Sequence, residues 1–188
     1  MAQPAPAVGA AAASPRRVAM APEADRARWR EAPVRAWVGL GANLGDAPAT
    51  LAWAVQALAT LPGCEDLVCS GLYRSAPVEA LGPDFYNAVV RFQTRLTAPD
   101  LLTQLQALEQ AQGRERPYRN APRTLDLDLL AYGDARMTSA RLQLPHPRLH
   151  TRAFVLRPMA EIDPQAVGAQ ALAAVADQRI ERLPGAFA

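Results

Sequence analysis

The chain contains no lysine, because all 20 of its basic residues are arginine. A phosphate-binding P-loop depends on its lysine, so the sequence excludes that type of nucleotide site. Cysteine is also scarce: Cys64 and Cys69 are the only two, and they do not form a Cys-x-x-Cys motif. This argues against a structural zinc site and against a disulfide framework. We expect both cysteines to be reduced and to serve in packing.

No hydrophobic run approaches the roughly 18 residues that a membrane-spanning helix requires. The N-terminus lacks the early positive charge and apolar segment of a secretory signal. The pair Arg16-Arg17 is not followed by an apolar segment either, so no export signal is predicted. We therefore expect a cytoplasmic protein without a membrane partner. The formal net charge is only +2, which argues against a general binder of nucleic acid.

Apolar residues, by contrast, are abundant: 50% of the 188 residues are hydrophobic. Residues 1–33 are an exception, because they are mostly alanine, proline and arginine, a composition that predicts disorder. From residue 34 the pattern changes to short apolar runs and amphipathic stretches. We predict a disordered N-terminal extension followed by a single domain over 34–188, and we expect a monomer.

Apolar periodicity predicts the elements of this domain. Residues 35–41 and 87–96 alternate as strands, and Asp46 and Thr97 are N-cap candidates for two helices with apolar stripes. Further predictions are strands at 67–73 and around 126–130, a hairpin near 142–144, and helices near 151–160 and 170–176. Strand, helix, strand, strand, helix, strand is the order of a ferredoxin-like α+β sandwich. We expect an antiparallel sheet with helices on one face, plus C-terminal additions.

The segment 114–130 combines four arginines with two closely spaced carboxylates. In a strand, Asp126 and Asp128 project from one face while leucines occupy the other. Paired carboxylates suit Mg²⁺, which takes oxygen ligands and keeps water and phosphate in its shell. Arginine binds phosphate oxygens through its planar guanidinium. The segment therefore predicts a site for a metal-bound polyphosphate, although an isolated Asp-x-Asp pair is more often a solvated face.

Several motifs along the chain resemble the 6-hydroxymethyl-7,8-dihydropterin pyrophosphokinase family. They occur in the family's order across about 35–165: Gly39-Leu-Gly-Ala-Asn-Leu-Gly45, Tyr73-Arg-Ser-Ala-Pro77, Asp84-Phe-Tyr-Asn-Ala88, Gly113-Arg-Glu-Arg116, Pro122-Arg-Thr-Leu-Asp-Leu-Asp128, Leu144-Pro-His146 and Arg152-Ala-Phe154. The resemblance implies a ferredoxin-like fold, ATP as the donor, two Mg²⁺ ions, AMP as a by-product and a role in folate biosynthesis.

The resemblance also implies roles for individual residues. Asp126 and Asp128 would bind both metal ions, and Arg114 and Arg123 would act in catalysis together with them. The positions that correspond to ATP-binding residues are Gln106, Glu109, Arg114, Arg116, Arg123, Arg141, His146 and Arg152. Those that correspond to pterin-binding residues are Ser75, Phe85, Asn87 and Phe154. Asn43 matches a turn position at which a turn-forming role and a direct contact are equally expected.

One departure and two alternatives accompany this resemblance. Asn120-Ala121 stands where the family commonly has Trp-Gly, so a tryptophan that seals the site is in doubt here. A catalytically silent nucleotide-binding module on the same fold is the main alternative, because fold alone does not determine activity. An RNA-binding domain ranks last, since the chain lacks strand motifs rich in glycine and aromatic residues.

Overall fold

The structure is a computed structural model, and it describes residues 29–77, 82–113, 123–185 and 187. Most of these residues belong to one antiparallel sheet and the helices that pack on it. The strands are β1 Trp29–Ala42, β2 Cys64–Cys69, β3 Tyr73–Ser75, β4 Phe85–Leu96, β5 Asp126–Tyr132, β6 Met137–Thr138, β7 Gln143–Leu144 and β8 Ile180–Arg182. The helices are α1 Ala47–Ala59, α2 Ala98–Ala111, α3 Ala153–Ile162 and α4 Ala169–Ala173.

Strand order in the main sheet is β5-β1-β4-β3-β8, with β2 also paired to β4. β4 is long enough to pair with β3 through its first residues and with β2 through its later ones. The predicted single strand at 67–73 is therefore divided into β2 and β3. Ser70 lies at the break, where its Oγ accepts a hydrogen bond from the Val89 backbone N–H at 3.0 Å.

Both predicted N-caps are confirmed. The Asp46 side chain accepts a hydrogen bond from the Ala49 N–H at 3.1 Å, and Thr97 Oγ1 accepts one from the Asp100 N–H at 3.4 Å. Each bond satisfies a backbone donor that the first helical turn leaves without an intrahelical partner. The helices α1 and α2 then bury their apolar stripes against one face of the sheet, around Phe92 and Val90.

The second face of the sheet is covered by α3. A separate cluster there joins Trp37, Val89 and Leu130 of the sheet to Val155 and Leu156 of the helix. The sequence predicted helices on one face and placed the helix near 151–160 among the C-terminal additions, without assigning it to a face of the sheet. The strand β4 is covered on this second face too, since Val89 is 1% exposed. Burial on both faces follows because α3 returns across the sheet after β5.

The first strand begins at Trp29, five residues before the predicted domain start at 34. Residues 29–33 belonged to the segment predicted to be disordered, and in the structure they are part of β1. Two contacts connect this segment to β4: Trp29 pairs with Leu96, and the Arg95 guanidinium donates to the Glu31 carbonyl oxygen. Residues 1–28, which were predicted to be disordered, lie outside the described residues. Among the described helices, none combines the length and apolarity needed to cross a membrane.

Cys64 and Cys69 are free thiols, as expected from their spacing. Burial, together with the negative charges of Glu65 and Glu161 respectively, raises the pKa of each thiol to about 12. Since the thiolate is the reactive form, we expect a thiol-specific reagent at pH 8 to label the native protein much more slowly than the denatured chain. Equal labelling rates in native buffer and in denaturant would contradict this burial.

Candidate active site

The two aspartates of β5 lie next to two glycines of β1. Asp126 pairs with Gly41 of β1, and Asp128 pairs with Gly39. Paired residues of adjacent antiparallel strands direct their side chains to the same face, and glycine has no side chain to occupy that space. Both aspartates therefore lie on the face that carries α3. On that face a Cβ atom at position 39 would lie 3.4 Å from Leu130 Cδ1, and one at position 41 would lie 3.6 Å from Asn87 Oδ1.

The same row of residues continues across the next two strands. Gly41 also pairs with Asn87 of β4, and Asn87 pairs with Tyr73 of β3. Asn87 Nδ2 donates to Ser75 Oγ at 3.0 Å and to the Phe85 carbonyl oxygen at 3.4 Å. Both Asn87 and Ser75 are buried. The candidate pterin residues Ser75, Phe85 and Asn87 are thus brought together, and Gly41 separates them from Asp126.

Two arginines balance part of the negative charge. Arg123 Nη1 lies 2.6 Å from Asp126 Oδ2, and Arg152 Nη1 lies 3.8 Å from Asp128 Oδ2. Burial and the neighbouring charge of Asp126 raise the pKa of Asp128, while His146, Arg152 and Arg123 act in the opposite direction. A half-buried carboxylate pair with this residual repulsion is a donor set that a hard divalent cation fits.

His146 and Arg152 approach the aspartates from the connection that follows β7. The His146 backbone N–H donates to the Leu130 carbonyl oxygen at 2.8 Å, which attaches this connection to β5. Burial lowers the pKa of His146 and that of Arg152, and Asp128 opposes both changes. The Arg152 guanidinium also lies 5.2 Å from the ring centre of Phe154, within the range of a cation–π contact. The structure therefore brings Arg152, His146 and Phe154 to the same site.

The candidate residues on and near α2 differ in their exposure to solvent. Glu109 is 1% exposed, and its Oε1 accepts a hydrogen bond from the Leu127 N–H at 2.8 Å. This carboxylate therefore holds the backbone between the two aspartates. Gln106 is partly exposed on the same helix. Arg141 is exposed, and its Nη2 donates to Thr103 Oγ1 of α2 at 3.1 Å.

Asn43 connects three parts of the site. Its Oδ1 accepts from the Arg123 N–H at 2.8 Å, and its own N–H donates to the Arg123 carbonyl oxygen at 3.1 Å. Its Nδ2 donates to the Pro83 carbonyl oxygen at 3.3 Å, in the segment that leads into β4. With 6% exposure, this amide joins the end of β1 to both neighbouring segments.

The sequence left a turn-forming role and a direct contact equally open for Asn43, and it did not identify Gly39 and Gly41 as part of the site. One signal could have found the glycines: Gly-x-Gly and Asp-x-Asp share a spacing of two residues, as expected for facing positions on paired strands. No comparable signal exists for Asn43, whose partners are 40 and 80 residues away. Arg114, Arg116 and Asn120-Ala121 lie outside the described residues.

The fold and these groups define an α+β protein in which a charged site suited to a metal-bound phosphate chain lies beside the hydrogen-bonded residues Asn87 and Ser75. Residues 37–164 match the model of the family described as 7,8-dihydro-6-hydroxymethylpterin-pyrophosphokinase. The chain belongs to this family. Family membership favours the catalytic interpretation of the site over the silent module.

Two curated relatives carry the name 2-amino-4-hydroxy-6-hydroxymethyldihydropteridine pyrophosphokinase. The protein from Synechocystis sp. is 46% identical over 127 residues, which cover 68% of this chain and 65% of the relative. The protein from Pseudomonas aeruginosa is 41% identical over 159 residues, which cover 81% of this chain and 98% of the relative. The match therefore spans nearly the full length of the Pseudomonas relative, and it spans slightly less than two thirds of the Synechocystis relative.

Among solved structures, the chain is similar to Plasmodium falciparum HPPK-DHPS in a crystal structure with STZ-DHP. The TM-score is 0.56 at 12% identity, and the match covers 70% of this chain and 40% of that chain. At this identity the likeness concerns the fold alone. It supports an α+β architecture with helices packed on an antiparallel sheet.

Proposed function

We propose that this protein transfers the pyrophosphoryl group of ATP to the hydroxymethyl group of 6-hydroxymethyl-7,8-dihydropterin, in folate biosynthesis. The hydroxymethyl oxygen forms a bond to the β-phosphorus, the bond from that phosphorus to the α-phosphate oxygen breaks, and AMP leaves. The proton of the hydroxymethyl group passes to solvent water. The observation that carries this proposal is the row Asp126, Gly41, Asn87, in which a carboxylate and an amide flank a position without a side chain.

The phosphate side of the site is assigned to β5 and the groups around it. Asp126 and Asp128 would hold two Mg²⁺ ions, which supply positive charge along the phosphate chain and orient it. Arg123 and Arg152 already contact these carboxylates. When a phosphate chain binds, their guanidinium groups can turn to its oxygens and offset the charge that develops during transfer. Arg114 and Arg116 are proposed for the same role.

The other groups assigned to ATP surround this centre. His146 presents an imidazole whose lowered pKa keeps it neutral near pH 7, so it can exchange hydrogen bonds with the nucleotide without adding charge. Gln106 and Arg141 lie on and against α2, and we assign them to the nucleotide. Glu109 acts through the backbone of β5, which it fixes between the two metal-binding carboxylates.

The pterin side is assigned to Asn87, Ser75, Phe85 and Phe154. A flat heterocycle requires aromatic faces for stacking and polar groups at its edge. Asn87 and Ser75 already orient each other by a hydrogen bond of 3.0 Å, so the edge-directed groups are held in place before a ligand arrives. Phe154 at the start of α3 offers the stacking face, and Arg152 covers that ring in the structure.

Three further assignments belong to this proposal. The strand order β5-β1-β4-β3, with helices α1 and α2 between strands, supports a ferredoxin-like arrangement. We also propose a cytoplasmic monomer without a nucleic-acid partner, since the net charge of +2 favours neither membranes nor polyanions. Residues 34–188 would form the catalytic domain, extended at its start by the first residues of β1.

The proposed activity can be tested by measuring AMP released from ATP with and without hydroxymethyl-dihydropterin. We expect AMP and the pterin diphosphate to form in equal amounts, only when the pterin, ATP and Mg²⁺ are all present. Chelation of Mg²⁺ by EDTA should abolish release, and added excess Mg²⁺ should restore it. AMP release at the same rate without the pterin would sink the assigned acceptor. Nucleotide binding without any AMP release would instead favour the silent module.

A further inference from the structure

A polar cluster at the protein surface joins α3 to the edge of the sheet, away from the aspartates; Arg182 is exposed, and Tyr73 is buried. Its centre is Glu161 in the last part of α3. One carboxylate oxygen, Oε2, accepts hydrogen bonds from the Gly71 N–H at 3.1 Å and from the Tyr73 hydroxyl at 2.8 Å. The other oxygen, Oε1, accepts from Arg182 Nε at 3.1 Å and Nη2 at 2.8 Å. A helix, a strand and the last strand of the chain thus meet at one carboxylate.

The backbone is shaped to admit this ion pair. A Cβ atom at position 71 would lie 2.9 Å from Arg182 Nη2 and 3.0 Å from Cζ and Nε. Cβ atoms essentially never lie within 3.0 Å of another atom, so a side chain at position 71 would displace the guanidinium from this position. The Leu183 N–H then donates to the Leu72 carbonyl oxygen at 2.8 Å, next to the β3–β8 pairing.

The charges of this cluster remain in place at neutral pH. Burial alone would raise the pKa of Glu161, but hydrogen bonds from Arg182, Tyr73 and Gly71 lower it below the ordinary value. Burial and the neighbouring Glu161 raise the pKa of Tyr73 to about 12. The carboxylate is therefore ionised and the phenol remains a hydrogen-bond donor.

The elements joined by Glu161 also carry candidate pterin residues. The first residues of α3 include Phe154 and follow Arg152, whereas β3 ends in Ser75, the hydrogen-bond partner of Asn87. A displacement of β3 relative to α3 would therefore move Ser75 relative to Phe154. The hydrogen bond from Tyr73 to Glu161 connects β3 directly to α3, two residues before Ser75.

We propose that Glu161 and Arg182 are positioning residues for the pterin pocket, because they hold β3 and α3 at the separation that the ring requires. This inference rests on the proposed function. It adds a specificity role for β8, which at Ile180–Arg182 lies beyond the residues 37–164 matched by the family model. The C-terminal strand thereby becomes part of substrate recognition without touching the substrate.

A second ion pair on the same two strands provides a matched control. Arg74 Nη2 lies 2.6 Å from Glu181 Oε2, and both side chains are exposed. Residues 74 and 181 are direct partners in the β3–β8 ladder. Because neighbouring residues in a strand alternate faces, this pair lies on the opposite face from Glu161 and α3. It fastens β8 to β3 but not to the helix.

The experiment compares Arg182→Ala with Glu181→Ala in the full chain. For each variant, kcat and KM are measured for hydroxymethyl-dihydropterin and for ATP, together with the Tm. We expect Arg182→Ala to raise the KM for the pterin about fivefold, the effect of a partly exposed charged pair, with kcat and the KM for ATP within about twofold. Glu181→Ala should leave all three constants within about twofold. Arg182→Lys, which keeps the charge, should recover part of the loss.

Several results would overturn the inference while the wild-type protein retains pterin-dependent AMP release. One such result is that Arg182→Ala and Glu181→Ala have the same kinetic constants. Another is that Arg182→Ala raises the KM for ATP as much as the KM for the pterin. If Arg182→Ala does not fold, the comparison is made between Arg182→Lys and Glu181→Gln, and the absence of a selective pterin effect there counts against the inference. A wild-type protein without pterin-dependent AMP release would refute the proposed function itself.

Discussion

Replacing Asp128 with alanine is expected to lower Mg²⁺-dependent AMP formation about a thousandfold, and Asp126→Ala should have a similar effect. Both side chains project from β5 next to Gly41 and Gly39 of β1, with which they pair. Loss of either carboxylate removes a ligand that would bind the metal ions, and the phosphate chain then carries uncompensated negative charge. The measurement is AMP formation under saturating ATP and pterin, with Mg²⁺ varied.

Stability should separate this loss from a loss of fold. Burial and the charge of Asp126 raise the pKa of Asp128, so the stability of the folded protein falls as the pH rises from the ordinary aspartate pKa through this raised pKa. Asp128→Asn removes this charge, and we expect an unchanged or higher Tm in Mg²⁺-free buffer at pH 7, as is common when a functional site is neutralised. Near-normal turnover in Asp126→Ala or Asp128→Ala would show that the metal assignment is wrong.

The second large effect is expected for Asn43→Ala, which should lower kcat/KM about a hundredfold. The amide of Asn43 binds the Arg123 N–H on one side and the Pro83 carbonyl oxygen on the other. Without it, the segment before β5 and the segment before β4 lose their connection, and small displacements of both would misplace phosphate and pterin relative to each other. The two orphaned backbone groups should also cost about 1–3 kcal/mol of stability.

Controls for Asn43 use an exposed amide and a partial replacement. Gln56→Ala on α1 removes an exposed amide and should leave kcat/KM within about twofold. Asn43→Asp keeps an acceptor for the Arg123 N–H but places an oxygen against the Pro83 carbonyl, so it should be impaired although less than the alanine variant. If Asn43→Ala had a lower Tm but wild-type kcat/KM, the amide would serve stability alone.

Local sequence signals predicted the helices and most strands well. The caps at Asp46 and Thr97 depend on side-chain oxygens and backbone donors three residues apart, so the pattern that forms them is visible in the sequence. The apolar stripes of α1 and α2 are likewise periodic within one element. The sequence also predicted that Asp126 and Asp128 share a face, because strand alternation requires only adjacent residues.

Elements whose burial or pairing depends on distant partners were predicted less well. Residues 29–33 have the composition of a disordered segment, yet they form the start of β1, and Trp29 pairs with Leu96 at the end of β4. The strand predicted at 67–73 divides because β4 offers different partners to its two halves. Val89 is buried because α3 covers the second face, and nothing within residues 87–96 indicates a helix that begins at Ala153.

The amino-acid sequence by itself determined the chemical character of the site: no lysine-dependent phosphate loop, an arginine-rich segment, and a carboxylate pair on one strand face. It also carried the motifs of a pterin pyrophosphokinase family, to which residues 37–164 belong. Only the tertiary structure decided that the Gly-x-Gly of β1 lies between Asp126 and Asn87, that Asn43 joins two remote segments, and that Glu161 ties α3 to β3 and β8. Strand register and hydrogen bonds between distant residues depend on how the whole chain packs, which periodicity within a single element does not encode.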